Sequence, residues 1–166
     1  QGLHQFDLGR LADVVGFHDK RDGGDDVGPR SAEVLVVQGV EQVDKYLLDR
    51  GNEEAGRKNW QKARTYYQRL VDGYPQSALR PDAKLGVADT YLGENSTESL
   101  VLAVNEYREF MSFYPTHARA DYAQYKIAMG HFNRMRTAER DQTETKEALK
   151  EFDVFFERFP SSALAP

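Results

Sequence analysis

The sequence predicts an all-α protein, an α-solenoid of about three stacked helix pairs that follows an irregular N-terminal segment. A helix-face pattern ending in proline occurs three times, at intervals of about forty residues. Sixteen of the nineteen aromatic residues follow residue 50. Because large aromatic side chains dominate packed cores, the folding information lies mainly in this second part of the chain.

The repeated pattern is alanine, an aromatic residue four positions later, Leu or Phe after three more, and an aromatic-proline pair after four more. It spans Ala63–Pro75, Ala103–Pro115 and Ala148–Pro160. At ~3.6 residues per turn, the four apolar side chains fall within an arc of ~60°. They form one packing stripe, with alanine where a neighbouring helix approaches closely. Proline cannot continue the helix and removes the preceding residue from helical geometry, so each proline predicts a helix end.

A second set of apolar residues lies between these helices. Small and large residues recur at offsets 0, 2, 5 and 9 from Ala83 and from Ala123, which predicts the first helix of the second and third pairs. Repeats of ~34–45 residues made of two helices are typical of tetratricopeptide-like solenoids. The predicted helices span 41–56, 58–73, 78–93, 97–113, 118–135 and 143–158.

Polar residues near the helix starts are expected to act as caps. Those that follow the prolines are Ser77, Thr116 and Ser161-Ser162. Asn95-Ser96-Thr97 fits the glycosylation acceptor pattern, but a cap at Ser96 or Thr97 is favoured. For Arg140-Asp141-Gln142-Thr143 we favour a cap, made by Asp141 with Glu144 or by Thr143 alone. The alternative is that Arg140 and Asp141 pair with another helix or a partner.

Residues 1–40 are predicted to be an irregular or partly disordered N-terminal segment, and residues 41–166 the repeat domain. Within the segment, Leu3–Phe17 has the spacing of a short amphipathic helix, and Asp19–Arg30 the composition of a flexible acidic linker. Val34–Val37 fits either a short strand or a helix start. We expect the repeat domain to be truncated, because Ala163-Leu164-Ala165 is placed to open a fourth pair.

Composition excludes several functions. The net charge of −5 argues against nucleic-acid binding. The absence of cysteine excludes disulfides, zinc-thiolate sites and thiol nucleophiles. The longest aliphatic run has four residues, short of the ~20 that a membrane span needs. Phosphate-binding loops, hydrolase elbows and metal-protease spacings are absent from the sequence, so we expect neither catalysis nor a metal or cofactor.

The expected partners are proteins, because helical repeats hold extended peptides and tyrosine is enriched in such contacts. The candidate peptide- or partner-binding residues are Tyr66, Tyr91, Tyr122, Tyr125, His131 and Arg140. For each tyrosine taken singly, a place in the core between repeats is favoured over a binding role. For His131 the favoured interpretation is a satisfied histidine of the core or groove on the packing face. The sequence leaves these alternatives open.

The block Tyr114–Tyr125, with Tyr-Pro-Thr-His and Asp-Tyr-Ala-Gln-Tyr, resembles the BamD family, the tetratricopeptide-type lipoproteins of outer-membrane β-barrel assembly. Arg140–Thr143, followed by Phe152 and Phe159–Ser162, is similar to the third repeat of that family. The resemblance extends from about Tyr46 to Ala165.

This resemblance implies a non-catalytic scaffold at the periplasmic face of the outer membrane, attached through a lipid. It also implies that the N-terminal repeats recognise unfolded barrel proteins and that the C-terminal repeats dock the barrel-forming subunit. The chain would then supply the half that faces the substrate. Alternatives are another periplasmic tetratricopeptide adaptor, for example of cell-envelope constriction, or an enzyme on a helical-repeat scaffold.

Overall fold

The computed structural model describes residues 29–135 and 142–165, with side chains from residue 43 onward. All regular structure in these ranges is helical, which confirms the predicted all-α fold. The helices are α1 (Pro29–Gly56), α2 (Trp60–Gly73), α3 (Arg80–Glu94), α4 (Thr97–Phe113), α5 (Ala120–Met135) and α6 (Thr143–Arg158). From α2 onward, each boundary lies within two residues of its predicted position.

Helix α1 is longer than predicted and begins at Pro29. The helix includes Val34–Val37, for which the sequence left strand or helix open, and it extends through residues 29–40 of the predicted irregular segment. The domain boundary at residue 40 itself stays a prediction. The helix predicted at Leu3–Phe17 lies outside the described residues, as does most of the predicted linker.

The repeated stripe forms the core of the unit Val43–Pro166. Its buried members are Ala63, Tyr67, Leu70, Ala103, Tyr107, Phe110, Ala148 and Phe155. Helix α3 contributes to two apolar clusters. Its Ala83 and Val87 pack with α1 and α2, and its Leu85 and Ala88 pack with α4 and α5. Each of these two clusters therefore joins one helix pair to the first helix of the next pair, as expected of a solenoid.

Tyr67 shows how closely the helices approach each other. Its ring lies between the backbones of α1 and α3, at Gly51 and Gly86. A Cβ built on Gly86 would lie 2.7 Å from Tyr67 Cζ. The hydroxyl donates to Asn52 Oδ1 at 2.8 Å. Burial, with a smaller contribution from the charge of Asp89, raises the pKa of Tyr67 to about 12.

The three prolines follow helix ends of the same geometry. Tyr74, Tyr114 and Phe159 have φ of −128°, −130° and −131° and ψ of 65°, 54° and 54°. Each N–H donates to the carbonyl four residues earlier, at 3.0, 2.8 and 2.9 Å. This equivalence confirms that the prolines mark corresponding helix ends.

The capping prediction is confirmed at α4 and not at the turns after the prolines. Ser77 Oγ and Ser162 Oγ accept backbone N–H groups two residues later, at 3.0 and 3.1 Å, within these turns. Leu79, the N-cap residue of α3, has no side-chain cap bond. In the middle turn His117 Nδ1 accepts from Arg119 at 3.2 Å, so Thr116 was the wrong residue because His117 occupies the matching position. Ser96, one of the two residues predicted for this cap, caps α4 and exchanges bonds of 3.1 and 2.8 Å with Ser99.

The cap predicted for α6 is different in the structure. Gln142 is the N-cap residue and makes no side-chain cap bond. Glu144, expected to complete the cap, instead bonds His131 Nδ1 at 2.8 Å. The cap involving Glu144 was therefore wrong, because the carboxylate is used between helices. Asp141 lies outside the described residues.

Candidate functional site

The predicted binding residues form two groups in the structure. Tyr66 and Tyr91 pack against the first apolar cluster, and Tyr91 and Tyr122 against the second. Tyr125 and His131, on α5, contact α6. Arg140 lies between α5 and α6, outside the described residues.

Tyr91 is covered on one face by an arginine from the preceding helix. The guanidinium carbon of Arg64 lies 3.6 Å from the ring centroid. Arg64 Nε also donates to Thr90 Oγ1 at 3.1 Å, and its Nη2 pairs with Glu94 at 2.7 Å. A cation stacked on a ring stabilises by about 0.5–2 kcal/mol, depending on desolvation. This contact fixes α3 against α2. Tyr66 has a looser counterpart, with Arg50 at 5.8 Å.

Tyr122 belongs to a hydrogen-bonded group that joins three helices. Its hydroxyl donates to Asp89 Oδ1 at 2.8 Å, and the same oxygen accepts from Tyr107. Burial, followed by the charge of Asp89, raises the pKa of both tyrosines. Both hydroxyls therefore stay protonated and donate at neutral pH. Arg119 stacks on the Tyr122 ring at 4.7 Å and pairs with Asp82 at 3.3 Å.

Tyr125 contacts aromatic residues of α6. Its ring centroid lies 6.1 Å from that of Phe152 and 5.8 Å from that of Phe155, both in edge-to-face geometry. Such pairs contribute about 0.5–1.5 kcal/mol beyond their buried area. Tyr125 is nevertheless half-buried, because α6 covers one side of the ring.

His131 is buried among charged groups. Its Nδ1 lies 2.8 Å from Glu144 Oε2, and its Nε2 lies 3.4 Å from Arg108 Nη2. A neutral imidazole with the proton on Nδ1 satisfies both contacts, since it donates to the carboxylate and accepts from the guanidinium. Arg134 also pairs with Glu144, at 2.7 Å. The histidine therefore links α4, α5 and α6.

Glu151 completes this contact between α4, α5 and α6. It pairs with Arg108 at 2.7 Å and accepts from Gln124 Nε2 at 2.7 Å. Burial alone would raise the pKa of Glu151, but these hydrogen bonds outweigh it and lower the pKa below the usual range. The carboxylate is thus held in its charged form between the helices.

Each predicted residue in the described ranges therefore has a contact inside the fold, and Asp89, Arg64 and Arg108 join them as residues that the sequence reasoning missed. Asp89 could have been found from the sequence, because its carboxylate directly follows Ala88 of the predicted apolar face. In the structure, Ala88 and Thr90 on either side of it are both buried. The arginines had no local signal, because their partners belong to other helices.

A cavity of about 390 Å³ lies at the turn containing Pro160. Three of its polar side chains, those of Asp121, Ser162 and His117, already have hydrogen-bond partners. Asp121 accepts from Ser162 Oγ at 2.6 Å, and His117 accepts from a backbone N–H. None of the predicted binding residues that the structure describes lines this cavity.

Within residues 29–135 and 142–165, the histidines and carboxylates form no group suited to holding a metal ion. None of the helices in these ranges combines the length and hydropathy of a membrane span.

Residues 41–166 match the family model described as YfiO, outer membrane lipoprotein. The chain belongs to this family. Curated relatives named "Outer membrane protein assembly factor BamD" include one from Caulobacter vibrioides, 28% identical over 140 residues, which cover 83% of this chain and 44% of the relative. Those from Neisseria meningitidis serogroup B and Neisseria gonorrhoeae are each 24% identical over 129 residues, which cover 72% of this chain and 47% of the relative.

The resemblance to the BamD family is thereby confirmed. The chain spans about half the length of the curated relatives it matches. The family description and the names of these relatives indicate the outer membrane and the assembly of its proteins.

Proposed function

We propose that this chain is a non-catalytic scaffold in the assembly of outer-membrane β-barrel proteins, and that it holds client or partner segments on its helical-repeat surface. Membership of the family over residues 41–166 carries the proposal. We place the protein at the periplasmic face of the outer membrane, attached through a lipid, in keeping with the family description. Its partners would be unfolded barrel proteins and other subunits of the assembly machinery.

The packing of the helices suits such a role. Asp89 connects α3, α4 and α5, and His131 with Glu144 connects α5 and α6. Because these contacts hold the helices in fixed positions, little ordering of the scaffold is needed when a segment binds. A preorganised surface loses less free energy on association than a flexible one.

The proposed contacts are the solvent-facing parts of half-buried tyrosine rings. Tyr91 is central to the proposal because it packs against both apolar clusters. Tyr66 packs against the first of these clusters, and Tyr122 packs against the second. Tyr125 contacts Phe152 of α6. The buried His131 supports the proposed surface by linking α5 to α6. Arg140, which lies outside the described residues, stays a proposed contact from the sequence alone.

The test is a titration of the chain with a fluorescein-labelled peptide copied from a transmembrane strand of an outer-membrane β-barrel. Fluorescence anisotropy reports binding, and circular dichroism reports helicity in the same samples. We expect saturable binding that weakens about tenfold or more in the Tyr91→Ala/Tyr125→Ala variant, the equivalent of about 1.4 kcal/mol. Tyr46→Ala is the matched control, since Tyr46 is 57% exposed on α1.

The outcomes separate the site from the function. Unchanged affinity with intact helicity in the double variant removes these tyrosines from the binding surface. Failure of the unaltered chain to reach saturation with any strand peptide contradicts the scaffold role itself.

A further inference from the structure

Helix α4, which packs between α3 and α5, carries large apolar side chains on its outer side. We call Leu102, Glu106, Glu109 and Phe113 the outer stripe. They occupy offsets 0, 4, 7 and 11 along the helix, so their side chains fall within an arc of ~60°. Phe113 is 61% exposed and Leu102 44%, and Val101 beside it is also exposed. Grouped exposed apolar side chains of this kind are typical of interaction surfaces.

The corresponding positions of α2 and α6 are polar or lack a side chain. In the register of the repeated pattern, the counterparts of Leu102 and Phe113 are Lys62 and Gly73 on α2, and Glu147 and Arg158 on α6. The core positions of the pattern, in contrast, hold alanine, leucine or aromatic residues in all three copies. Packing of the stack therefore does not require the apolar ends of the outer stripe.

The centre of the outer stripe is acidic. Lys84 Nζ of α3 lies 2.8 Å from Glu106 Oε2 and 2.9 Å from Glu109 Oε2. The side chain of Lys84 is 13% exposed and that of Glu109 49%, so the cation is covered while a carboxylate faces solvent. Because one ammonium group balances one of two carboxylates, a negative charge remains at the surface.

A cavity of about 150 Å³ adjoins the Phe113 end of the stripe, and Asp72 and Glu109 are among its lining residues. Two cations also line the cavity. One is the lysine already paired with the stripe, and the other, Arg80, donates to the hydroxyl of Tyr114 at 2.9 Å. An exposed aromatic ring beside two carboxylates suits a guanidinium or ammonium group, which stacks on the ring and pairs with the acids.

A second copy of this chain is a poor match for the same surface. Two outer stripes in antiparallel contact would place Leu102 of one copy against Phe113 of the other, and Glu106 against Glu109. Four carboxylates would then meet at one contact, and like charges brought together disfavour association. The complementary helix therefore carries cations between its apolar residues.

We propose that the outer stripe of α4 binds a basic amphipathic helix of another protein. Apolar side chains of that helix pack on Leu102 and Phe113, which stand ~16 Å apart along α4, and its cations face the carboxylates between them. One arginine or lysine enters the cavity between Asp72 and the ring of Phe113. The outer stripe contains none of the tyrosines of the proposed function, so this inference does not depend on that function.

The probe is a fluorescein-labelled, alanine-based helical peptide that carries leucine, arginine, arginine and leucine at the spacing of the outer stripe. The control peptide has glutamate in place of both arginines. Fluorescence anisotropy follows titrations of each peptide with the full chain. We expect saturable binding of the arginine peptide, at least about tenfold tighter than that of the glutamate peptide, and weaker as the salt concentration rises.

Three variants test the residues of the site. Leu102→Lys and Phe113→Arg place on α4 the residues that α2 and α6 carry at the counterpart positions, so both variants should keep the fold. These two and Asp72→Asn should each weaken binding of the arginine peptide by about tenfold. Glu157→Gln, at the counterpart of Asp72 on α6, is the matched control and should leave the affinity unchanged. Circular dichroism reports helicity in the same samples.

Equal affinities for the two peptides would overturn the proposal, as would unchanged affinity in all three variants with intact helicity. Sedimentation gives a further decisive result, since a dimer that is lost on Leu102→Lys would assign the stripe to a second copy of this chain. The strand peptide of the proposed function should bind the three variants as tightly as the parent chain. Loss of strand-peptide binding in them would place both ligands on one surface and contradict a separate site.

Discussion

The sharpest structural prediction concerns Gly86, at the contact between α3 and the ring of Tyr67. Alanine in a helix interior is favoured over glycine by about 1 kcal/mol, so helix propensity alone predicts that Gly86→Ala stabilises the protein. The structure predicts the opposite. The new Cβ would lie 2.7 Å from Tyr67 Cζ and 2.8 Å from Cε2. Gly51 closes the other side of the ring, with its own Cβ position 2.6 Å from Cδ1.

The ring therefore cannot move away from the added methyl group without displacing α1. Overpacking of a filled core costs about 1–3 kcal/mol, and a ring held on both sides places this change near the upper limit. After subtraction of the propensity gain, we expect Gly86→Ala to lower the free energy of unfolding by about 2 kcal/mol. For a chain of this size, that corresponds to a fall of roughly 4–8 °C in the unfolding midpoint.

The assay is urea unfolding followed by circular dichroism at 222 nm, with Gly56→Ala as the matched control. A Cβ on Gly56 meets no atom within 4 Å, so that variant should be neutral or more stable by up to about 1 kcal/mol. If Gly86→Ala were as stable as Gly56→Ala, the close contact at Tyr67 would be refuted.

Three further predictions follow from the charged and hydroxyl groups. Asp89→Ala should lower the free energy of unfolding by about 2–4 kcal/mol, because the hydroxyls of two tyrosines lose their acceptor. Asp89→Asn keeps an acceptor oxygen and should cost less in the same urea assay. Equal losses for the two variants would contradict a role of Asp89 as acceptor. The folded pKa of Glu151 lies below its ordinary 4.5, so its contribution is complete above that pH and is lost as the pH falls through the folded pKa. Glu151→Gln should therefore flatten the acid side of the stability profile, and Glu147→Gln, which removes an ion pair of 3.9 Å with Lys150, should not. The pKa of Tyr67 is raised from 10.0 to about 12, so its contribution is complete below pH 10 and is lost as the pH rises towards 12. Tyr67→Phe should reduce that alkaline loss in thermal melts, and an unchanged alkaline profile would contradict the raised pKa.

The helices were predictable because their signals are local and repeated. The stripe from Ala63 to Leu70 encodes a packing face within three turns of helix, and Pro75 ends that helix through its own covalent geometry. The same sequence pattern occurs three times, so each copy strengthened the helix prediction for the other two. The prediction at Thr116 was wrong by one residue. The neighbouring His117 accepts, through its Nδ1, the backbone N–H that a serine Oγ accepts in the other two turns.

The contacts of the candidate site were not predictable in the same way. Arg64 meets Glu94 thirty residues later, and Arg108 meets Glu151 forty-three residues later. These pairings depend on the rotation and register of packed helices, which periodicity alone leaves open. The same reason explains Glu144, whose position suggested a helix cap but whose carboxylate reaches His131 on another helix.

The central claim is that three equivalent helix ends organise the stack, and amide measurements at Tyr74, Tyr114 and Phe159 test it most directly. Nuclear magnetic resonance provides backbone chemical shifts and hydrogen-exchange rates for each amide in the intact chain. We expect all three residues to show ψ of about 54–65°, and amides protected by bonds of 2.8–3.0 Å to the carbonyl four residues earlier. Helical shifts at any one of them, or rapid exchange at one and protection at the others, would contradict the repeat on which the fold and both proposals depend.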